Sequence, residues 1–405
     1  MDNATLARAT MGTSLGFHIV FAVLGVGLPL LMSVAEGLAL WRHDADWMVL
    51  ARRWSKAFGI LFAVGAVSGT VLSFELGLLW PRFMAFSGAI IGLPFSAEGF
   101  AFFIEAIFLG LYLYGWDRLS PVGHWLTSIP IALSGAASSV FVVMANAWMN
   151  TPAGFRLGPD GQLAQVDPLA AALNPSTATE DPHMLVSAYV VTGFLVAAVY
   201  AAGMLRGRVD VFHRRGLAAG MAMAAVAIVL AGITGDSSAR FIYGAQPAKF
   251  AAMEGIYQTQ RGAPIHLGGI PSDSQHRVLF APEIPKALSF LATFDPNAEV
   301  RGLDTFPAAD RPNPVLVHLS FDGMVGLGLF IGLLAAAFWL LTIRRRSLPR
   351  SRRLLLRLFK RDQTAGWATR PQGTKGNSAR GIRGRRVGVP GYSQSHGDVL
   401  RPLLR

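Results

Sequence analysis

Seven long apolar runs dominate the first 343 residues of this 405-residue chain, each near the roughly 20 residues that cross a bilayer. The runs predict helices at 12–40, 54–79, 93–116, 123–149, 184–205, 216–235 and 314–343. The expected fold is therefore all-α, a polytopic membrane helix bundle. Lys and Arg set its orientation. The first connection holds Arg42, Arg52, Arg53 and Lys56, the third Arg118, and the fifth Arg206, Arg208, Arg214 and Arg215. Arg344, Arg345 and Arg346 follow the seventh run, whereas the second and fourth connections hold only Arg82 and Arg156. The positive-inside rule then puts the N-terminus outside and the basic turns in the cytoplasm. The opening MDNATLARATMG lacks a basic start and a small-residue cleavage site. The first run is accordingly expected to stay as a helix.

The net charge of +12 does not point to nucleic acid. From Arg344 onward there are 17 Lys and Arg against 2 Asp and Glu. That tail alone exceeds the charge of the whole chain, so the membrane body is slightly acidic. The chain has no cysteine, which excludes disulfides, thiolate-held iron–sulfur clusters and C-x-x-C-H haem attachment. Any redox cofactor must be held by His, Met or carboxylate.

Four segments result. Six helices occupy 1–235, a long outward loop 236–313, the seventh helix 314–343, and a basic tail 344–405. A loop of that length in a compact protein is functional or disordered. Within it, 247–260 can form a short amphipathic helix and 270–313 reads as irregular. The tail has the composition of a disordered segment and no run long enough to span. No internal repeat suggests an inverted-repeat transporter.

Ionisable groups within membrane spans are costly and mark function by default. His18 lies near the outer end of the first helix in GTSLGFHIVF. A neutral imidazole is a good axial haem ligand, and equally a hydrogen-bonding contact between helices. His183 opens the fifth helix and Met324 sits in the outer third of the seventh. A His and a Met at one depth can sandwich a low-spin haem; separately they serve as a helix cap and a gap filler. Glu98 and Glu105 stand two turns apart on one face of the third helix, about 10 Å along its axis. Stacked carboxylates suit a proton relay, or bond as protonated groups to neighbouring helices. Glu75 and Asn146 add polar groups at helix ends, Asn146 as interhelical glue or relay member. Lys249 and Glu254 lie five apart in the loop and need not share a face.

Together these residues resemble subunit I of cytochrome bd quinol oxidase, from the N-terminus to about residue 343. The motifs carrying the resemblance are GFH at His18, EGFAFFIE at Glu98 and Glu105, A-N-x-W-M at Asn146 and Q-x-x-K-x-A-A-x-E at Gln246, Lys249 and Glu254. The resemblance implies that His18 ligates a high-spin haem and that His183 and Met324 ligate the low-spin haem b. It implies cofactor contacts for Gln246, Asn146 and Glu75. It also implies a high-spin haem b and haem d, a short quinol loop of the cyanide-insensitive type, and a second polytopic subunit, subunit II. The implied reaction oxidises ubiquinol at the outer face of a bacterial inner membrane and reduces O2 to water, with protons taken from the cytoplasm.

Two departures stand out. Asp322 occupies the place of a family Arg two residues before the haem Met. The family also continues through two more helices, with a G-R-Q-P-W motif and a carboxylate haem ligand, whereas 344–405 starts GWAT late and then loses the pattern. We read this end as a shifted reading frame or degraded gene copy, so seven of an expected nine helices remain. Two alternatives stay open, an inactive truncated oxidase and a non-redox membrane transporter. A bc-type cytochrome b is disfavoured because neither His18 nor His183 has a second in-helix histidine partner, and a haem–copper oxidase because closely spaced histidine pairs are absent.

Overall fold

The computed structural model describes residues 2–159 and 163–345. Among the described residues, seven helices are long and apolar enough to cross a membrane. They are α1 (Asn3–Arg42), α2 (Ala45–Leu79), α3 (Pro81–Tyr114), α4 (Pro121–Asn150), α6 (Thr177–Leu205), α7 (Val211–Ala245) and α10 (Pro314–Arg345). A five-residue α5 (Pro168–Ala172) lies between α4 and α6, and α8 (Pro247–Glu254) and α9 (Ala287–Thr293) lie between α7 and α10. The expected tail at 344–405 falls outside the described residues beyond Arg345.

Local chemistry starts the helices where they start. Asp2, Asp44, Ser120 and Asp210 accept hydrogen bonds from first-turn backbone N–H groups of α1, α2, α4 and α7. Pro81, Pro121 and Pro247 sit at first helical positions, where a missing N–H costs nothing.

Several helices outrun the apolar pattern. α2 begins at Ala45 rather than 54, α3 at Pro81 rather than 93, and α6 at Thr177 rather than 184. Pro94 lies inside α3. α7 continues to Ala245, so the long loop begins at 246 rather than 236. Asp236 and Arg240 pair at 2.9 Å, i to i+4 along that extension, which lets polar residues prolong the helix.

Short turns join the helices at one end of the bundle: His43–Asp44, Gly115–Ser120 and Arg206–Asp210. This turn end carries the basic residues, several of them stacked on aromatic rings. Arg52 lies 4.5 Å from the centre of Trp116, and Arg53 4.4 Å from Phe212. The main core sits in this half, built on Met32, Leu50, Phe58, Tyr112, Ile131, Leu217 and Phe338. Buried positions of α1 run from Val23 to Ala39 and those of α7 from Gly216 to Ala227. The helices therefore converge at the turn end and pack more openly at the other.

At the opposite, loop end the segment after α7 is ordered, not irregular. Three nested two-stranded antiparallel ribbons join 260–261 to 299–300, 265–266 to 283–284, and 270–272 to 277–279. Phe250, Ile256, Ala263, Leu288 and Val300 form a small core of their own beneath them. Strands of two or three residues are too short to show periodicity, so the sequence alone reads as irregular there.

Candidate functional site

Helix register brings the candidate ligands to one level. α6 runs antiparallel to α7, with His183 facing Thr234 and Gly203 facing His213. α10 is antiparallel to α7 on its other flank. Trp339 bonds the Met221 carbonyl and Gly332 faces Ile228. Stepping back along α10 carries Met324 to the level of Gly235, beside His183. Met324 falls on the stripe shared with Ile331, Ala335 and Phe338, which packs inward at the turn end, yet it is 56% exposed. α1 runs alongside α6, where Thr192 bonds the Val23 carbonyl at 3.0 Å. His18 falls in the same layer.

Both histidines are seated alike. The Ser68 hydroxyl donates to the Val64 carbonyl at 2.9 Å and lies 2.9 Å from His18 Nδ1. Having given its proton away, that hydroxyl accepts from Nδ1–H. The Thr234 hydroxyl donates to the Leu230 carbonyl and accepts likewise from His183 Nδ1–H, each at 3.0 Å. In both rings Nε2 is left with its lone pair. A second hydrogen bond fixing tautomer and ring plane is how proteins present a metal-ligating histidine. Each ring also lies against a glycine. A Cβ at Gly69 would meet His18 Cε1 at 3.1 Å, and one at Gly235 would meet His183 Cε1 at 3.3 Å. The donor set of two free imidazole nitrogens and a thioether fits haem iron.

Three further helix histidines, His124, His213 and His318, went unremarked in the sequence, and of these His124 has both ring nitrogens hydrogen-bonded. His124 bonds Glu36 and the Tyr112 carbonyl. His318 Nδ1 bonds the Met253 carbonyl at 2.7 Å, and its Nε2 lies 3.3 Å from Asp322. Asp322 thus faces a histidine of its own helix.

Glu98 and Glu105 both face α4. The Ser138 hydroxyl donates to Glu98 at 3.3 Å. Glu105 is buried against Gly135, where an added Cβ would meet its Oε1 at 3.2 Å. Glu98 lies nearer the histidine layer and Glu105 deeper.

The loop residues divide into two groups. Gln246 caps α8 and donates to the Asn150 carbonyl at 2.7 Å, while Lys249 Nζ reaches Asn150 Oδ1 at 3.5 Å. Asn146 and Asn150 both donate to Glu180 at 3.2 Å, a carboxylate absent from the sequence reading. Asn146 thus ties α4 to α6. Glu254 closes α8 on the opposite side, toward α10. Burial, and then the nearby Asp322 carboxylate, push its pKa up to about 7. Lys249 and Glu254 leave α8 in different directions, as their spacing of five implies. Glu75 accepts from Ser14 at 2.6 Å and keeps its second carboxylate oxygen buried and unpaired. Asp181, two residues before His183, has both oxygens buried and unpaired.

Comparison with known proteins shows the family. A family model described as cytochrome bd terminal oxidase subunit I matches residues 6–374. A putative cytochrome bd menaquinol oxidase subunit I of Bacillus subtilis is 40% identical over 335 residues, covering 82% of this chain and 75% of the relative. The cytochrome bd-II ubiquinol oxidase subunit 1 of Escherichia coli is 32% identical over 77% of this chain and 61% of its own length. The solved bd oxidase from Geobacillus thermodenitrificans superposes with a TM-score of 0.81 at 41% identity, covering 84% of this chain and 79% of that one. The chain belongs to the cytochrome bd terminal oxidase subunit I family.

Proposed function

We propose that this chain oxidises a quinol at the loop end of the bundle and passes the electrons through haem to O2, as one subunit of a bacterial inner-membrane oxidase. The observation that carries this reading is the matched seat of His18 and His183. Two hydroxyls fix the two rings so that each Nε2 lone pair is free at one level, directly under the loop. His183 and Met324 would hold a low-spin haem b, and His18 a high-spin haem of type b or d. Haem at these positions supplies one-electron carriers between quinol and oxygen.

The chain's own groups do the proton work. Lys249, on the α4 side of α8, would donate a hydrogen bond to the quinol head, and Glu254, on the α10 side, would take up a proton released on oxidation. A carboxylate poised near 7 both accepts and releases a proton at neutral pH, which is what a general base here requires. Two quinols release four electrons, with their four protons leaving on the loop side. One O2 takes four electrons and four protons to form two waters. Glu98 and Glu105 would carry those protons from the turn end, which the basic residues mark as cytoplasmic. Charge then crosses the membrane without a pump. Subunit II is the expected partner, and ubiquinol the expected substrate.

The test is O2 uptake by membranes carrying this chain with its partner subunit, driven in turn by ubiquinol and menaquinol analogues. Quinol-dependent uptake with a higher KM in Lys249→Ala supports the reading. Uptake in wild type that Lys249→Ala leaves unchanged makes Lys249 a solvated loop charge. No quinol-dependent uptake at all refutes the oxidase assignment.

A further inference from the structure

A second polar cluster lies far from the histidine layer, in the tightly packed half of the bundle. Glu36 of α1, Tyr112 of α3 and His124 of α4 meet there at 1%, 0% and 2% exposure. His124 Nε2 lies 2.8 Å from the Tyr112 carbonyl, which can only accept, so Nε2 carries a hydrogen. The Tyr112 hydroxyl donates to Glu36 Oε2 at 2.7 Å. Between His124 Nδ1 and Glu36 Oε1, 2.6 Å apart, there is room for one proton. It sits on the imidazole or on the carboxyl, and the pair is neutral overall in both cases. The cage holds one transferable proton at no change in buried charge.

The cluster is aligned with the glutamates already described. Positions 98, 105 and 112 of α3 are seven apart, so they share a face at steps of about 10 Å. Ser128 and Ser134 of α4 are buried along the interval between His124 and Glu105. At the Glu105 level, Pro29 of α1 lacks the N–H that would hold the Gly25 carbonyl. That carbonyl and Glu105 both border Gly135, whose added Cβ would meet Gly25 O at 3.4 Å and Glu105 Oε1 at 3.2 Å. Toward the turn end, the Trp116 ring covers His124 with centroids 3.9 Å apart. Arg52 covers Trp116 in turn, 3.8 Å from the exposed Asp117. One aromatic layer separates His124 from the basic surface.

We propose that Glu36, His124 and Tyr112 form the station where protons from the turn end are loaded onto the path through Glu105 and Glu98. This rests on the oxidase reading. The three residues act as relay groups and touch neither quinol nor oxygen. The hand-over is a plain proton transfer. The shared proton leaves Glu36 toward Glu105, and His124 is reprotonated from the turn-end side.

The experiment uses the complete oxidase in liposomes, with a pH dye inside and Glu36→Gln compared with wild type. The substitution keeps the shape of the side chain and removes the titratable oxygen. Expected is a loss of about ten-fold or more in inward-side proton uptake and in O2 reduction, with Glu36→Asp recovering most of both. Anaerobic reduction of the haems by quinol should stay within about two-fold, since that step needs no inward proton. A merely structural cluster would lower the melting temperature and leave uptake per haem unchanged. Should Glu36→Gln fail to assemble, Tyr112→Phe decides, because it deletes only the hydroxyl that steadies Oε2. Slower uptake per haem supports the station and wild-type uptake overturns it. A wild-type complex without haem bands overturns the oxidase reading and this proposal together. A haem-loaded Glu36→Gln complex with undiminished uptake overturns the proposal alone.

Discussion

The seat of His183 depends on how closely α6 and α7 approach. Gly193 and Gly220 make the crossing, and a Cβ on Gly220 would lie 2.7 Å from the Ala197 nitrogen and from the Gly193 carbonyl. Both are backbone atoms, so no rotamer change can relieve the contact. Bringing it to an ordinary 3.4 Å requires the helices to part by about 0.7 Å. Overpacking of this kind costs about 1–3 kcal/mol. The same shift lengthens the 3.0 Å bond from His183 to Thr234, about ten residues along the pair. Gly220→Ala should therefore lower the melting temperature of the detergent-solubilised protein and reduce its low-spin haem content. Gly232 of the same helix is the control, because nothing lies within 4 Å of its added Cβ. Gly232→Ala gains helix propensity of about 0.5–1 kcal/mol and should be neutral or slightly stabilising. The reasoning is refuted if Gly220→Ala melts with wild type, or if the two substitutions are equally harmful.

Further outcomes follow from the site. Glu254 has its pKa raised from 4.5 to about 7, so the folded chain binds this proton more tightly than the unfolded one. Its contribution to stability is full below about pH 4.5 and is lost as pH climbs to about 7, by up to roughly 3 kcal/mol. Melting in detergent should show that slope, and Glu254→Gln should flatten it. Quinol oxidation should rise through pH 7 as Glu254 ionises, and Asp322→Asn should move that limb to lower pH. A pH profile unchanged in Glu254→Gln would assign the limb to another group. Thr234→Val removes the hydroxyl behind His183 and should weaken haem retention about 10–100-fold, read by haem loss during dialysis. Retention equal to wild type would mean that the hydroxyl does not orient the ring.

The seven helices were legible because each carries an apolar run longer than any other structure needs. Their ends were less so. Thr177–Pro182 and Asp236–Arg240 carry no apolar run; Asp236 pairs with Arg240 along the helix, and Ile242 and Tyr243 beyond it pack against the small core of the loop. The ribbons between 260 and 300 were hidden, since two-residue strands carry no pattern. His18, His183, Glu98 and Glu105 stood out by the rule that charge inside a membrane is functional, and Glu254 by the loop motif it shares with Gln246 and Lys249. Glu36 and His124 obey the same rule and could have been found by it. Their partnership could not, because 88 residues separate them and only the α1–α4 crossing joins them. The hydroxyls of Ser68 and Thr234 carry no sequence signal of their own. Serine and threonine are common in membrane helices as backbone-bonding groups, and their use as histidine seats appears only in three dimensions.

The central claim is that His183, through its free Nε2, and Met324 would together hold a low-spin haem. The most direct measurement is the reduced-minus-oxidised spectrum of the purified complex at low temperature, for wild type, His183→Ala and Met324→Leu. The account predicts a low-spin haem b band that His183→Ala abolishes. In Met324→Leu the band should turn high-spin, with the remaining haems unchanged in both variants. A low-spin band that survives His183→Ala would contradict it.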